Sequence, residues 1–125
     1  MSFVEYRETI DYVWVLARAF DRWAEAVAEA GRRPNKAAAV EAVCFAAHAL
    51  AALAAPFSGN GFNLRRCVEL ARDGRPLAAL EEASSFVAML ARELDRRGLL
   101  VRRTELLMGS YGGEVGGADT GEADL

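Results

Sequence analysis

The sequence predicts an all-α fold, a small helical bundle of four main helices with a flexible Gly-rich acidic C-terminal tail. Three observations carry this. Tyr6, Ile10, Val13, Ala17, Phe20, Ala24 and Val27 alternate spacings of four and three, which is a continuous helical seam. Residues 36–55, KAAAVEAVCFAAHALAALAA, hold eleven alanines and are apolar on nearly every face. Proline or glycine stands at each expected break, at Pro34, Pro56, Gly74 and Gly98.

Helix 1 is expected from Phe3 to Ala30. Ser2 and Glu5 have capping-box spacing, and Gly31 is placed to cap the other end. Leu16, Trp23 and Ala30 widen its seam, and 28 residues would reach about 42 Å. Helix 2 is the alanine-rich run, with Asn35 as its N-cap and Pro56 as its stop. Its length would cross a bilayer. Its five strong apolar residues, Val40, Val43, Phe45, Leu50 and Leu53, sum to roughly −1.5 to −3 kcal/mol of insertion energy, which one central charge nearly cancels. Glu41 and His48 therefore argue for a helix inside a soluble bundle, with no membrane partner.

PFSGNGF is a turn-rich loop, and helix 3 follows as LRRCVELARD, with Leu64, Cys67, Val68 and Ala71 on one side. A three-residue DGR connection then leads to Pro76, well suited to the first turn of helix 4. Leu77, Leu80, Ser84, Val87, Leu90 and Leu94 form the expected inner face of helix 4, which closes at Gly98. Residues 99–108 read as a strand, an arm or a short fifth helix. One domain is expected over 1–108, and 109–125 should be the flexible acidic tail.

Helix 3 would reach only about 15 Å beside neighbours of roughly 30 Å. The seam of helix 1 thus exceeds what three partners readily cover. Either the bundle closes around all of it, or Trp14, Phe20 and Trp23 meet another subunit. These three are the candidate partner-binding residues, for a protein partner or for self-association.

The chemistry-bearing residues are sparse. His48 is the sole histidine, and Glu41 lies seven residues earlier on the same face, but two ligands do not make a zinc site. Glu81 and Glu82 are read into the first turn of helix 4 and Arg92, Arg96 and Arg97 at its other end, as the helix dipole favours. Ser84 and Ser85 have no base within helical reach, and the glycines of GNG and YGGEVGG lack a P-loop lysine or a dinucleotide fingerprint. No catalytic residue, metal or cofactor is expected. Cys44 and Cys67 belong to no CxxC pair and read as buried, reduced thiols, and the N-terminus lacks the features of a secretory signal. The expected location is cytoplasmic.

Charge is uneven along the chain. Residues 60–103 carry nine arginines against six acids, whereas everything from Thr104 on carries five acids and no base. FVAMLARELDRRGLLVRR, residues 86–103, resembles the end of a recognition helix and the entry to the wing of winged-helix regulators. That resemblance implies Arg96, Arg97, Arg102 and Arg103 as phosphate contacts. It covers about eighteen residues and departs from the pattern twice: helix 4 has no internal turn, and the segment after it is acidic where a wing is basic. More loosely, Arg65, Arg66, Arg72, Arg75, Arg92, Arg96, Arg97, Arg102 and Arg103 would form a phosphate-binding face if helices 3 and 4 align them. In size and architecture alone such a chain is similar to the small helical subunits of ribonucleoprotein assemblies, CRISPR effector complexes included. The leading expectation is a non-enzymatic subunit or adaptor working through protein–protein assembly, and the second is a nucleic-acid-binding subunit.

Overall fold

The computed structural model describes the backbone of residues 3–100 and the side chains of residues 11–100. The Ser2–Glu5 capping box, the segment 101–108, Arg102, Arg103 and the acidic tail lie outside the residues described at that level. Four helices are packed against one another: α1 (Phe3–Arg32), α2 (Ala37–Ala54), α3 (Leu64–Arg72) and α4 (Pro76–Arg96). The fold is all-helical, as the sequence predicts.

α2 is the hub, because it is the one helix here that packs closely on each of the other three. Val40, Val43, Cys44, Ala47, Leu50 and Ala54 form its buried face at helical spacing. α1 lies antiparallel on one side of it, with the Tyr12 hydroxyl donating to the Leu53 carbonyl at 2.6 Å. α4 runs alongside α2 in the same direction. Pro76 shares a surface recess with Ala37 at the start of both helices, and Asn60 in the loop after α2 donates to the Glu93 carboxylate at 3.3 Å near the end of α4. The short α3 fills the space between α2 and α4.

Helix ends follow local chemistry, with two departures from expectation. α1 runs through Gly31 to Arg32, so Gly31 is not the cap. Pro34 ends the helix instead, since the residue before a proline is pushed out of helical geometry. The N-cap of α2 is Lys36, which offers no side-chain acceptor, and Asn35 falls one residue too early. At α3 the Asn63 carboxamide oxygen accepts from the Arg66 amide at 3.1 Å. Asn63→Ala is expected to cost about 1 kcal/mol, readable as a lower urea midpoint. An unchanged midpoint would remove this cap from the account. Gly74 and Gly98 both adopt positive φ, 77° and 71°, where a side chain would be strained. Gly98 turns the chain so that the Leu99 amide reaches the Leu94 carbonyl at 3.0 Å.

Two inner faces differ from the sequence reading. On α1 the buried residues are Val13, Leu16 and Ala30, with Phe20 and Trp23 packed against the core, whereas Ala24 and Val27 are exposed. Val13 and Phe20 thus keep their expected inward places, Leu16 and Ala30 of the widened seam are buried with them, and Ala24 and Val27 fall outside the contact. On α4 Val87, Leu90 and Leu94 are buried as expected, but Leu77 and Ser84 face solvent, and Ala79 and Ala83 take the inner positions. Small residues are needed there because α3 approaches closely: the Cys67 Sγ sits 3.3 Å from the Ala79 carbonyl oxygen.

That sulfur is not a free thiol. Cys44 of α2 and Cys67 of α3 form a disulfide, with their Cα atoms 5.9 Å apart and both residues fully buried. Burial was legible in the sequence, but pairing was not. A spacing of 23 residues on two separate helices is no disulfide signature until packing brings those helices together.

Tyr12 closes the end of the α1/α2 pair, packing on Phe57 with ring centroids 5.5 Å apart. Burial raises its hydroxyl above the ordinary value of 10.0. The unfolded phenol therefore ionises first as pH rises. Its stabilisation is complete below about pH 10 and is lost as pH climbs through the folded value. Tyr12→Phe is expected to flatten the alkaline limb of a plot of urea midpoint against pH. Parallel limbs for the two proteins would contradict this.

Candidate functional site

The burial pattern of α2 leaves one face uncovered. Its inward residues are the valines, Leu50 and Cys44, so Ala38, Ala42, Phe45, Ala49 and Ala52 point outward at spacings of four and three. Phe45 is 51% exposed at the middle of this stripe. The helix has a mean hydropathy of 1.8, yet only 39% of it is buried. Much of the most apolar element in the fold therefore faces outward.

α1 supplies the adjoining wall. Its outward positions Val15, Arg18 and Arg22 follow the same spacing, and Val15 is 50% exposed. Between the helices runs an open groove of about 510 Å³. Val15 and Leu53 stand at one end of it, Ala26 and Ala42 at the other, with Ala19, Ala46 and Ala49 on the floor and Arg18 and Arg22 along the α1 edge. Alanine floors let another helix approach closely, and an apolar groove with a charged edge is the usual composition of a protein contact.

The predicted partner residues sit elsewhere. Phe20 and Trp23 are half-buried against the core, and Trp14 is half-buried. Besides Ala24 and Val27, α1 leaves Val15 exposed beside α2, with Ala19 half-buried next to it. Phe45 could have been singled out from sequence alone. It is the aromatic residue of the alanine run and lies off the stripe of Val40, Val43, Ala47 and Leu50.

The arginines divide into two groups. Those of α3 are paired: Arg65 with Glu69 at 3.4 Å, Arg66 with Glu82 at 2.8 Å and Arg72 with Glu41 at 3.0 Å. The hydrogen bond from Arg72 to the Glu41 carboxylate, more than the bare charge, raises the guanidinium above its ordinary value. In the same way Arg32 donates to Glu29 and lowers that carboxyl. Arg92, Arg96 and Arg97 at the end of α4 are exposed and make no ion pair among the described residues. They stand roughly 15 to 22 Å along α4 from the Arg66–Glu82 pair, at 1.5 Å per residue. The structure thus places the arginines in separate clusters. At the front of α4 the exposed residues are Leu77, Glu81, Ser84 and Ser85, with Arg75, also exposed, at the N-cap.

Glu41 is engaged by Arg72 rather than by His48, which is exposed. Among the described residues no three His, Cys, Asp or Glu side chains gather as a metal site would require. No protein-family model, curated protein or solved structure matches this chain.

Proposed function

We propose that this chain is a non-enzymatic helical subunit or adaptor, and that the groove between α1 and α2 is its contact face. One observation carries the reading: Phe45, half exposed, is centred on an uncovered alanine face and adjoins the exposed Val15 across the groove. An aromatic ring in that setting supplies a large apolar anchor at a small cost in side-chain entropy. The groove floor offers no titratable group, and the arginines on its edge suit recognition of a partner's carboxylates.

A photo-reactive phenylalanine analogue placed at position 45 tests this in the source cell or in the purified protein. A discrete cross-linked protein product is expected, and none when the same analogue stands at exposed Ser84 on α4. Equal labelling at both positions, or at neither, would end the proposal.

A second reading rests on Arg92, Arg96 and Arg97, which make no ion pair among the described residues and suit a phosphate backbone. On that reading, fluorescence anisotropy of labelled single- and double-stranded nucleic acid shows binding that weakens steeply with salt and weakens again in Arg96→Gln/Arg97→Gln. Absence of binding at low salt removes it.

A further inference from the structure

The contact face is self-complementary, and we infer that its occupant is a second copy of this chain, docked antiparallel about a two-fold axis beside Phe45. This rests on the reading of the α1/α2 groove as a protein contact and names the partner. The axis follows from the order of residues on both helices. On α2 the outward alanines are symmetric about Phe45: Ala42 and Ala49 flank it at near-equal distance, and Ala38 and Ala52 stand one turn further out on either side. An antiparallel copy therefore sets Ala42 against Ala49 of the partner and Ala38 against Ala52 of the partner, with the two aromatic rings meeting at the centre.

The charges on α1 obey the same axis. α1 and α2 are antiparallel, and the groove runs from Val15 and Leu53 to Ala26 and Ala42, which puts Arg22 at about the level of Phe45. Arg18 and Glu25 are exposed, lie two turns apart on the same outward stripe and stand on opposite sides of that level. Neither makes an ion pair among the described residues. The two-fold that superposes the alanine stripes brings Arg18 opposite Glu25 of the partner, and Glu25 opposite Arg18 of the partner. One symmetric operation thus matches apolar with apolar and positive with negative, as an isologous interface requires.

The parallel alternative fails on both counts. It would lay the arginine edge of α1 over the alanines of the partner's α2, where a guanidinium finds no acceptor. It would also align the dipoles of the two α2 helices, whereas the antiparallel arrangement opposes them. Arg22 lies at the axis near its own copy, and its long side chain carries the charge outward to the rim.

Sedimentation equilibrium of the full chain tests the inference. The expected species has twice the 13.5 kDa chain mass. Phe45→Glu should be a monomer whose circular dichroism matches the parent, because the ring is half exposed and outside the core, and whose melting midpoint no longer rises with protein concentration. Arg18→Glu and Glu25→Arg should each weaken association about tenfold, and the double exchange should restore it. A parent monomeric throughout the micromolar range, or a dimer indifferent to Phe45→Glu or unrestored by the double exchange, overturns the two-fold.

The broader reading is judged separately by the photo-cross-link at position 45. A monomer that cross-links there to a different protein loses this inference and keeps the contact face. A monomer with no cross-link loses both. Phosphatidylserine vesicles that bind the parent but not Phe45→Glu would assign the face to a lipid surface and also overturn both.

Discussion

Unfolding this protein in urea with and without reductant is expected to show a stability loss of about 3 kcal/mol on reduction. The value follows from the loop that the disulfide closes: cross-linking residues 23 apart removes chain entropy worth slightly more than the ~3 kcal/mol of a 15-residue loop. Reduction leaves both sulfurs in place and opens no cavity, and the freed Cys67 thiol finds an acceptor in the Ala79 carbonyl. For a domain of this size the loss corresponds to roughly 10 to 20 °C in melting temperature. α3 should suffer first, since nine residues form a weak helix by themselves and the disulfide is its covalent tie to the hub. Thiol titration of the denatured, unreduced protein should detect no free cysteine. Two free thiols would refute the pairing, and with it the expected effect of reductant. The same titration on protein trapped directly from cells bears on the compartment, because cytosolic thiols are normally kept reduced.

The second large effect compares two leucines on one helix. Leu90→Ala is expected to destabilise by about 3 kcal/mol, because Leu90 is fully buried and its truncation leaves a cavity among close-packed neighbours. Leu77→Ala should change stability by less than about 0.5 kcal/mol, since Leu77 is 76% exposed. Both residues are inner-face positions in the helical periodicity of the sequence, so the pair separates the pattern from the packing. Comparable losses would mean that the first turn of α4 is buried after all. A small loss at Leu90 would displace the core from where α4 meets α2.

The four helices were legible because their determinants are local. Pro34, Gly74, Pro76 and Gly98 restrict backbone geometry wherever they stand, and runs rich in alanine and leucine favour helix before any tertiary contact forms. The apolar character of α2 was equally plain. What the sequence left open is every choice that depends on which neighbour arrives. Periodicity marks a stripe, and the width of that stripe admits several centres. On α1 packing took in Val13, Leu16, Phe20 and Ala30 and left out Ala24 and Val27, and on α4 the close approach of α3 selected Ala79 and Ala83 over Leu77 and Ser84. The disulfide is of the same kind, since two cysteines on separate helices become partners only when packing brings their Cα atoms to 5.9 Å.

The candidate site follows this division. The sequence by itself determined an alanine-rich helix packed among others, and left open whether its neighbours would cover the whole apolar seam of helix 1. Tertiary structure decided which apolar face stayed open. With α3 and α4 on one side of α2 and α1 on another, the remaining open face is that of Phe45, while Phe20 and Trp23 turn inward. Helix propensity is a property of adjacent residues, whereas exposure is a property of what fails to pack against them.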